Sequence, residues 1–477
     1  MLLQPFLEQC RRRPQALALA EGERRLGYGE LLARAQALAA ALQAVGVAPG
    51  RPVAVHLPRG IDAVIAVFGT LLAGACYVPL DTKNPAARLA FILADAQAAA
   101  VLGLGQPPAG VEDKRWIDLE TIAPAAPQPV ETPAESLAAI LYTSGSTGQP
   151  RGVALSHGAI AAFAGWAADL VQLSEADRIA GSTPFFFDLS TFDLYAVLGR
   201  GASLHFLPAA LTLAPARLAA WLQTEAISGW YTVPSLLAFL AYKGNLGEID
   251  LASLRFVLFA GEVFPTPALM ELAGRWPHAT LYNLFGPTET NVCCHWPVIH
   301  ERLDPAESIP IGLPAAGCRL HVEPASGELW VQGPTLASGY WSGGALRPFL
   351  NDEGWYATGD RVSFQQGEYR FHGRLGRMLK CSGYRVEPAE IEACVLALPG
   401  VRSCAVVGLD DPAAGQRPAL ALCLEPQVAL AHIRQALARQ LPAYMQPSRY
   451  LVLEDLPRLA NGKLDYQGLR ALLEAHA

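Results

Sequence analysis

Between Leu141 and Gly152 the chain reads Leu-Tyr-Thr-Ser-Gly-Ser-Thr-Gly-Gln-Pro-Arg-Gly, a run of hydroxyls and glycines closed by a cation. Such a loop suits an oligophosphate. Glycines let backbone N–H groups curl toward an anion, hydroxyls add donors, and Arg151 contributes fixed positive charge. No Gly-Lys-Ser/Thr follows at Walker A spacing, so this is a different kind of phosphate loop. Taken alone, an ordinary Ser/Gly turn after a strand is the alternative.

Five further stretches carry reactive types. Phe185 to Ser190 sets a single carboxylate, Asp188, in an aromatic, apolar run. A charge there needs a cationic partner or a shifted pKa; on local sequence alone, a helix-capping Asp is the better reading. Asn283 to Thr290 (Asn-Leu-Phe-Gly-Pro-Thr-Glu-Thr) brings together an aromatic face, a Gly-Pro turn, a hydroxyl and a carboxylate. A nucleotide asks for a stacking surface, a phosphate donor and an oxygen ligand for Mg²⁺. Tyr356 to Asp360 places an acid after a tight turn, where it can accept ribose hydroxyls. Finally, Gly373 to Glu392 is dense in glycines and cations, and Lys463 follows an Asn461-Gly462 turn from which it can reach a cleft as a point charge.

The elements that must position these groups are legible in the hydrophobic pattern. Leu137 to Tyr142 reads as a buried strand, Leu26 to Leu42 as a helix, and Val53 to Leu57 as a strand. The uncharged run Ala63 to Leu80 is broken by Gly74 and Pro79, so it reads as a buried helix followed by a strand, not a membrane span. Helix and strand alternate to about residue 310, which predicts layered α/β structure with largely parallel sheets. Residues 106–133, rich in Pro and Ala, read as a surface connection. From Ile309 to Phe371 short β runs, including Gly339-Tyr340-Trp341, predict a small β subdomain. Beyond Gly373 a separate α+β unit is expected: helices at Pro388 to Leu398 and Ala429 to Gln440, strands at Cys404 to Leu409 and Ala419 to Leu424.

Composition narrows the classes. With 477 residues, 52% hydrophobic and 17% charged, the chain buries large cores. A net charge of −7 without long basic runs argues against nucleic acid or anionic membrane as partner. Nine scattered cysteines and an N-terminus without a basic, apolar leader point to a reducing cytoplasm.

Taken in order, the motifs resemble those of the adenylate-forming superfamily, specifically the adenylation domains of non-ribosomal peptide synthesis. The set begins at Leu72 to Asp81 (Leu-Ala-Gly-Ala-Cys-Tyr-Val-Pro-Leu-Asp) and runs through the phosphate loop, Phe187-Asp188, Gly286 to Glu289, Thr358 to Asp360, Gly373-Arg374 and Asn461 to Lys463. The resemblance implies an adenylation core at residues 1–373, a hinge at 374–376 and a mobile C-terminal domain at 377–477. It implies that Thr143, Ser144, Gly145, Ser146, Thr147, Gly148 and Arg151 hold the phosphates of ATP. Phe285 would stack on adenine beside Asn283, Gly286 and the Gly261-Glu262 backbone. Thr288 would meet the α-phosphate, Glu289 would bind Mg²⁺, and Asp360 with Arg374 would hold the ribose. Lys463 would bridge the substrate carboxylate and the α-phosphate while an aminoacyl-adenylate forms. A phosphopantetheine thiol then takes the acyl group after the C-terminal domain rotates. Two positions depart from the family: Arg151 stands where Lys is usual, and Gly376 where a hinge Asp is usual.

By matching positions the substrate pocket is expected to comprise Asp188, Leu189, Phe192, Tyr231, Leu258, Ala260, Leu284, Val292 and Cys293. Asp188 implies an ammonium group, and the remainder a compact apolar side chain. The lining is similar to that of the stand-alone prolyl ligases, so L-proline is expected, with valine or another small apolar amino acid as the rival. No Gly-Gly-His-Ser-like attachment site follows Lys463, so a separate carrier protein is the expected acceptor. An acyl-CoA synthetase using free CoA is the alternative within the same fold.

Overall fold

The computed structural model describes residues 2–111, 115–145, 148–411, 415–458 and 464–476. Two large sheets form its body. In the eight-stranded sheet, Trp116–Asp118, Ala100–Gly103, Pro52–Val55, Cys76–Pro79 and Leu137–Thr143 run parallel, and Arg151–Ser156, Gly339–Ser342 and Ala345–Arg347 extend it antiparallel. In the nine-stranded sheet the parallel series is Thr280–Phe285, Phe256–Phe259, Gly229–Thr232, Arg178–Gly181, Ser203–Phe206 and Leu17–Glu21, with antiparallel strands at both edges. Most of these parallel strands are buried throughout, as uninterrupted apolar runs require when helices cover both faces.

One core joins the facing sides of the two sheets. It contains Leu19, Ile179 and Leu204 from one sheet, Val53, Tyr77 and Leu141 from the other, and Phe68 and Phe163 from helices between them. The Ala63 to Leu80 run resolves into the helix Ile61–Leu72 and the strand Cys76–Pro79. Among the described residues no helix is long and apolar enough to cross a membrane. The outer face of the nine-stranded sheet is closed by the helices Pro215–Thr224, Pro234–Lys243 and Thr266–Arg275.

The β subdomain is a four-stranded antiparallel sheet of Arg319–Val322, Glu328–Gln332, Tyr356–Gln365 and Glu368–Arg374. Gly339-Tyr340-Trp341 does not join it. That strand pairs with Arg151–Ser156 in the eight-stranded sheet, drawn there by Tyr340, whose ring lies 3.6 Å beneath the Arg151 guanidinium. The surface connection also holds more structure than expected, since Trp116–Asp118 forms a short edge strand within it.

After Arg374 the chain enters a unit with its own two cores. The long antiparallel pair Val401–Asp411 and Gly415–Leu424 is flanked by the hairpin Leu379–Cys381/Tyr384–Val386 and by Arg449–Val452. The helices Pro388–Leu396 and Leu430–Gln440 cover one face, through Ile391, Val395, Ile433 and Leu437, and Tyr466–Ala475 covers the other through Leu469 and Leu473. Helix ends fall within two residues of the expected ones, because apolar residues at helical spacing, with Pro388 in the first turn of one helix, are strong local signals.

Candidate active site

The phosphate-type loop is the turn of a hairpin: Thr143 pairs with Arg151 across antiparallel strands, and of the residues between them Ser144, Gly145, Gly148 and Pro150 are buried. Gly148 sits at φ +85°, and a Cβ there would come within 2.8 Å of Ala393 in the C-terminal unit. The loop therefore lies directly against the helix Pro388–Leu396. Ser146 and Thr147 lie outside the described residues, as does Lys463.

A cavity of about 540 Å³ opens beside the loop. Of the expected residues, Thr143, Ser144, Asp188, Leu189, Tyr231, Ala260, Gly261, Gly286, Thr288 and Arg374 line it. Asp188 does not cap a helix with its side chain; its backbone carbonyl accepts from the Thr191 N–H, and the carboxylate faces the cavity. The residue is 8% exposed, and burial pushes its pKa from 3.8 up to about 6, against the opposing pull of the Thr288 hydroxyl, the Leu189 backbone and Lys380. A buried carboxylate with so little compensation is a site waiting for a cation.

An adjoining cavity of about 320 Å³ shares Gly261, Gly286 and Lys380 with the first. Asn283, Leu284, Phe285 and Glu262 line it with Phe371, whose ring centroid is 5.5 Å from that of Phe285. The aromatic face suits a planar heterocycle. Asn283 spends its amide N–H on the Pro310 carbonyl at 2.8 Å. Glu262 accepts the Ser235 N–H at 2.8 Å through one carboxylate oxygen, and its other oxygen is buried with no hydrogen-bond partner among the described residues; burial raises its pKa.

Asp360 is 2% exposed and is covered by Arg374, which donates to it at 2.8 Å and to the Thr358 carbonyl at 2.8 Å. Burial raises the Asp360 pKa although Arg374 and Lys380 oppose the shift. Glu289 is fully buried, yet its pKa is lowered. Burial pushes it up, but Arg385, the backbone, Arg151 and the Tyr340 hydroxyl outweigh that push. Arg385 donates to both carboxylate oxygens at 3.0 and 3.2 Å, Tyr340 donates at 3.0 Å, and Arg151 stands 3.7 Å away.

Several expected pocket residues are placed otherwise. Phe192, Leu258, Val292 and Cys293 line neither cavity and are buried behind them; Phe192 supports the Tyr231 ring edge-on at 5.8 Å. Leu284 lies in the smaller cavity instead of the larger. The larger cavity also contains cations that the matched positions omit: Lys380 and Arg385 from the C-terminal unit, beside Arg374. Tyr384 closes its rim, 4.8 Å from Phe187 and stacked on Tyr444 at 3.8 Å. A Cβ on Gly383, at φ +83°, would come within 2.9 Å of Val233, so only glycine lets this turn approach the main body. The density of glycines and cations from Gly373 to Glu392 was the one local signal of these residues. Nothing in their spacing assigns Lys380 or Arg385 to a particular carboxylate.

The arrangement brings together a hydroxyl- and amide-bearing turn, an aromatic-sided cavity, a buried carboxylate and several cations able to meet negative charge. Residues 6–341 match the model of the AMP-binding enzyme family, and residues 390–463 that of the AMP-binding enzyme C-terminal domain. An L-proline–[L-prolyl-carrier protein] ligase of Streptomyces coelicolor is 41% identical, over 93% of this chain and 91% of its own length. Another of the same description, from Pseudomonas fluorescens, is 35% identical over 99% of each. Among solved structures, o-succinylbenzoate CoA synthetase of Bacillus subtilis shares the fold with a TM-score of 0.87 at 24% identity, over 98% of each chain.

Proposed function

The chain belongs to the AMP-binding enzyme family, and from that premise we propose that it activates an amino acid, L-proline by preference, as the aminoacyl-adenylate and passes it to the phosphopantetheine thiol of a separate carrier protein in the cytoplasm. The observation that carries this reading is the buried, raised-pKa carboxylate of Asp188 in an otherwise apolar end of the cavity, contiguous with the slot at Phe285. An ammonium group repays the desolvation of that carboxylate; a fatty or aryl acid leaves it unpaired. Leu189, Tyr231 and Ala260 leave room for a compact apolar side chain, which favours proline, the substrate named in both carrier-protein ligases.

In the first step a carboxylate oxygen attacks the α-phosphorus of ATP, the new P–O bond forms, and pyrophosphate leaves. Two anions must meet, so the residues' work is electrostatic. Thr288 donates to the α-phosphate, Ser144 and the Gly145 amide meet the outer phosphates, and Lys463 bridges carboxylate and phosphate. Glu289 is the hard oxygen donor through which Mg²⁺ would be held together with the ATP phosphates, supplying neutralising charge. Phe285 and Asn283 orient the base, and Asp360 with Arg374 the ribose. In the second step the carrier thiolate attacks the acyl carbon, a thioester forms, and AMP leaves. Residues 1–373 act as the core, 374–376 as the hinge and 377–477 as the moving unit. The placement of Lys380 and Tyr384 at the cavity supports this second step as the one served by the present arrangement.

The test is an amino-acid panel in ATP–pyrophosphate exchange, followed by transfer to holo-carrier protein or to free CoA. Exchange led by proline, with transfer to the carrier only, is expected. Equal exchange with aromatic or acidic amino acids refutes the pocket assignment, and efficient transfer to CoA refutes the acceptor.

A further inference from the structure

We propose that Asn291 is a positioning residue that ties the turn carrying Thr288 to the loop carrying Asp188, so that nucleotide and amino acid bind cooperatively. This rests on the proposed function, in which Thr288 meets the α-phosphate and Asp188 the substrate ammonium. It adds a residue that neither role includes and a physical link between the two ligands.

Asn291 lies on the wall of the larger cavity, three residues beyond Thr288, and is 5% exposed. Its φ of +56° is in the left-handed region, which few residues other than glycine adopt and which the neighbours must hold. They do so from three sides. The Asn291 N–H donates to the Thr288 carbonyl at 3.3 Å, closing the turn. Its carbonyl packs over Gly286, where a Cβ would come within 2.4 Å of that oxygen. Its side-chain amide leaves the turn and donates to the Thr191 hydroxyl at 3.0 Å, 100 residues away in the chain.

Thr191 is the other half of the link. It is fully buried, and its hydroxyl donates in turn to the Asp188 carbonyl at 2.6 Å, where the Thr191 N–H also donates at 2.9 Å. That hydroxyl therefore has both a donor and an acceptor role committed. Hydrogen bonds in series thus join the Thr288 carbonyl to Asn291, Asn291 to Thr191, and Thr191 to the backbone that aims the Asp188 carboxylate. The two made by side chains are buried, so moving the turn without the loop breaks a bond that water does not replace.

A ligand seated on either group restricts both. The first to bind bears the ordering of turn and loop, and the second meets a surface already set, which is positive coupling between the sites. Linkage requires the two affinities to change by one and the same factor.

The experiment is calorimetric titration of the full chain with L-proline, or whichever amino acid leads the exchange panel, and with Mg²⁺–α,β-methylene-ATP, which cannot release pyrophosphate. Each is titrated alone and with the other saturating. In the native chain each ligand should tighten the other by about five-fold or more, equally in both orders. Thr191→Val keeps the shape and loses the hydroxyl; Asn291→Gly suits the left-handed backbone and loses the amide. Both should bring the factor below about two-fold, while the nucleotide analogue alone still binds within about three-fold of the native value. Thr191→Ser should restore the factor, and the double variant should match either single one, as members of one series do. Arg377→Gln, whose partner Glu392 lies within the C-terminal unit at 2.6 Å, should leave it unchanged. Hydrogen exchange gives the cross-readout: proline alone should slow the Asn291 amide, and the nucleotide analogue alone the Thr191 amide. A native factor below about two-fold overturns the proposal, as does a Thr191→Val chain that keeps the native factor or an amide that responds only to the ligand on its own side. Failure of every amino acid in the panel to bind refutes the proposed function and this link with it. Intact binding of both ligands with a factor that the variants do not move refutes the link alone.

Discussion

Replacing Asp188 with Asn should move two readouts in opposite directions. Burial raises the Asp188 pKa from 3.8 to about 6, a difference of about 2 units, or about 3 kcal/mol at roughly 1.4 kcal/mol per unit. The sign follows from proton binding. Between about pH 4 and pH 6 the folded chain holds this proton and the unfolded chain does not, so stability falls as pH rises through that window. Above pH 6 both forms are ionised, and the buried charge destabilises the fold by up to about 3 kcal/mol; asparagine carries no such charge. Asp188→Asn should therefore unfold at a higher temperature than the native chain at pH 8, and the gain should vanish near pH 4. Catalysis should suffer instead, because the substrate ammonium loses its buried partner. Breaking such a pair costs roughly 3–5 kcal/mol, so kcat/KM in amino-acid-dependent exchange should fall about 10²- to 10³-fold or more. Scanning calorimetry at the two pH values and exchange kinetics measure both. A variant that melts no higher at pH 8, or that keeps proline activation within tenfold of the native chain, would refute the pairing.

Other consequences are equally open to measurement. The KM for the amino acid in exchange should rise about tenfold per pH unit below about pH 6, as protonation of Asp188 removes the ammonium's partner; a flat KM from pH 5 to 8 contradicts this. Phe285→Ala should raise the KM for ATP by roughly tenfold or more, since base–aromatic stacking contributes about 1–3 kcal/mol, with little change in the amino-acid preference. Gly376→Pro should block transfer to the carrier thiol and spare pyrophosphate exchange. Gly376→Ala should preserve both, because a Cβ at that position meets nothing within 4 Å. Lys463→Ala should abolish adenylate formation while nucleotide binding, followed by calorimetry, stays within a few-fold.

Much of the architecture follows from local pattern. Uninterrupted apolar runs such as Val53 to Val55 and Phe256 to Phe259 can be strands only where both faces are covered, which specifies parallel sheets between helix layers. The hairpin turn was legible for a similar reason: hydroxyls and glycines between Thr143 and Gly152 interrupt two apolar runs, and Thr143 pairs with Arg151 across the turn. Asp188 was visible because a lone charge in an aromatic run is costly and must have a use.

The strand Gly339–Ser342 was not assignable in this way. A short β run has no sheet of its own, and it went to the sheet that offered Arg151 to Tyr340. The pocket positions divide similarly. Leu189, Tyr231 and Ala260 line the larger cavity while Phe192, Leu258, Val292 and Cys293 lie behind it, since side-chain direction depends on the register and twist of each element and not on residue type.

Residue types and their order along the chain thus determined the family and the layered α/β body, and singled out the groups proposed to handle a nucleotide and an amine. Only the tertiary structure decided which charges meet. Arg385 and Glu289 stand 96 residues apart and come together because the turn at Gly383 fits against Val233, bringing a cation from one unit onto a carboxylate buried in another. Pairing over that distance is set by how two independently folded cores dock, and local sequence carries no term for it.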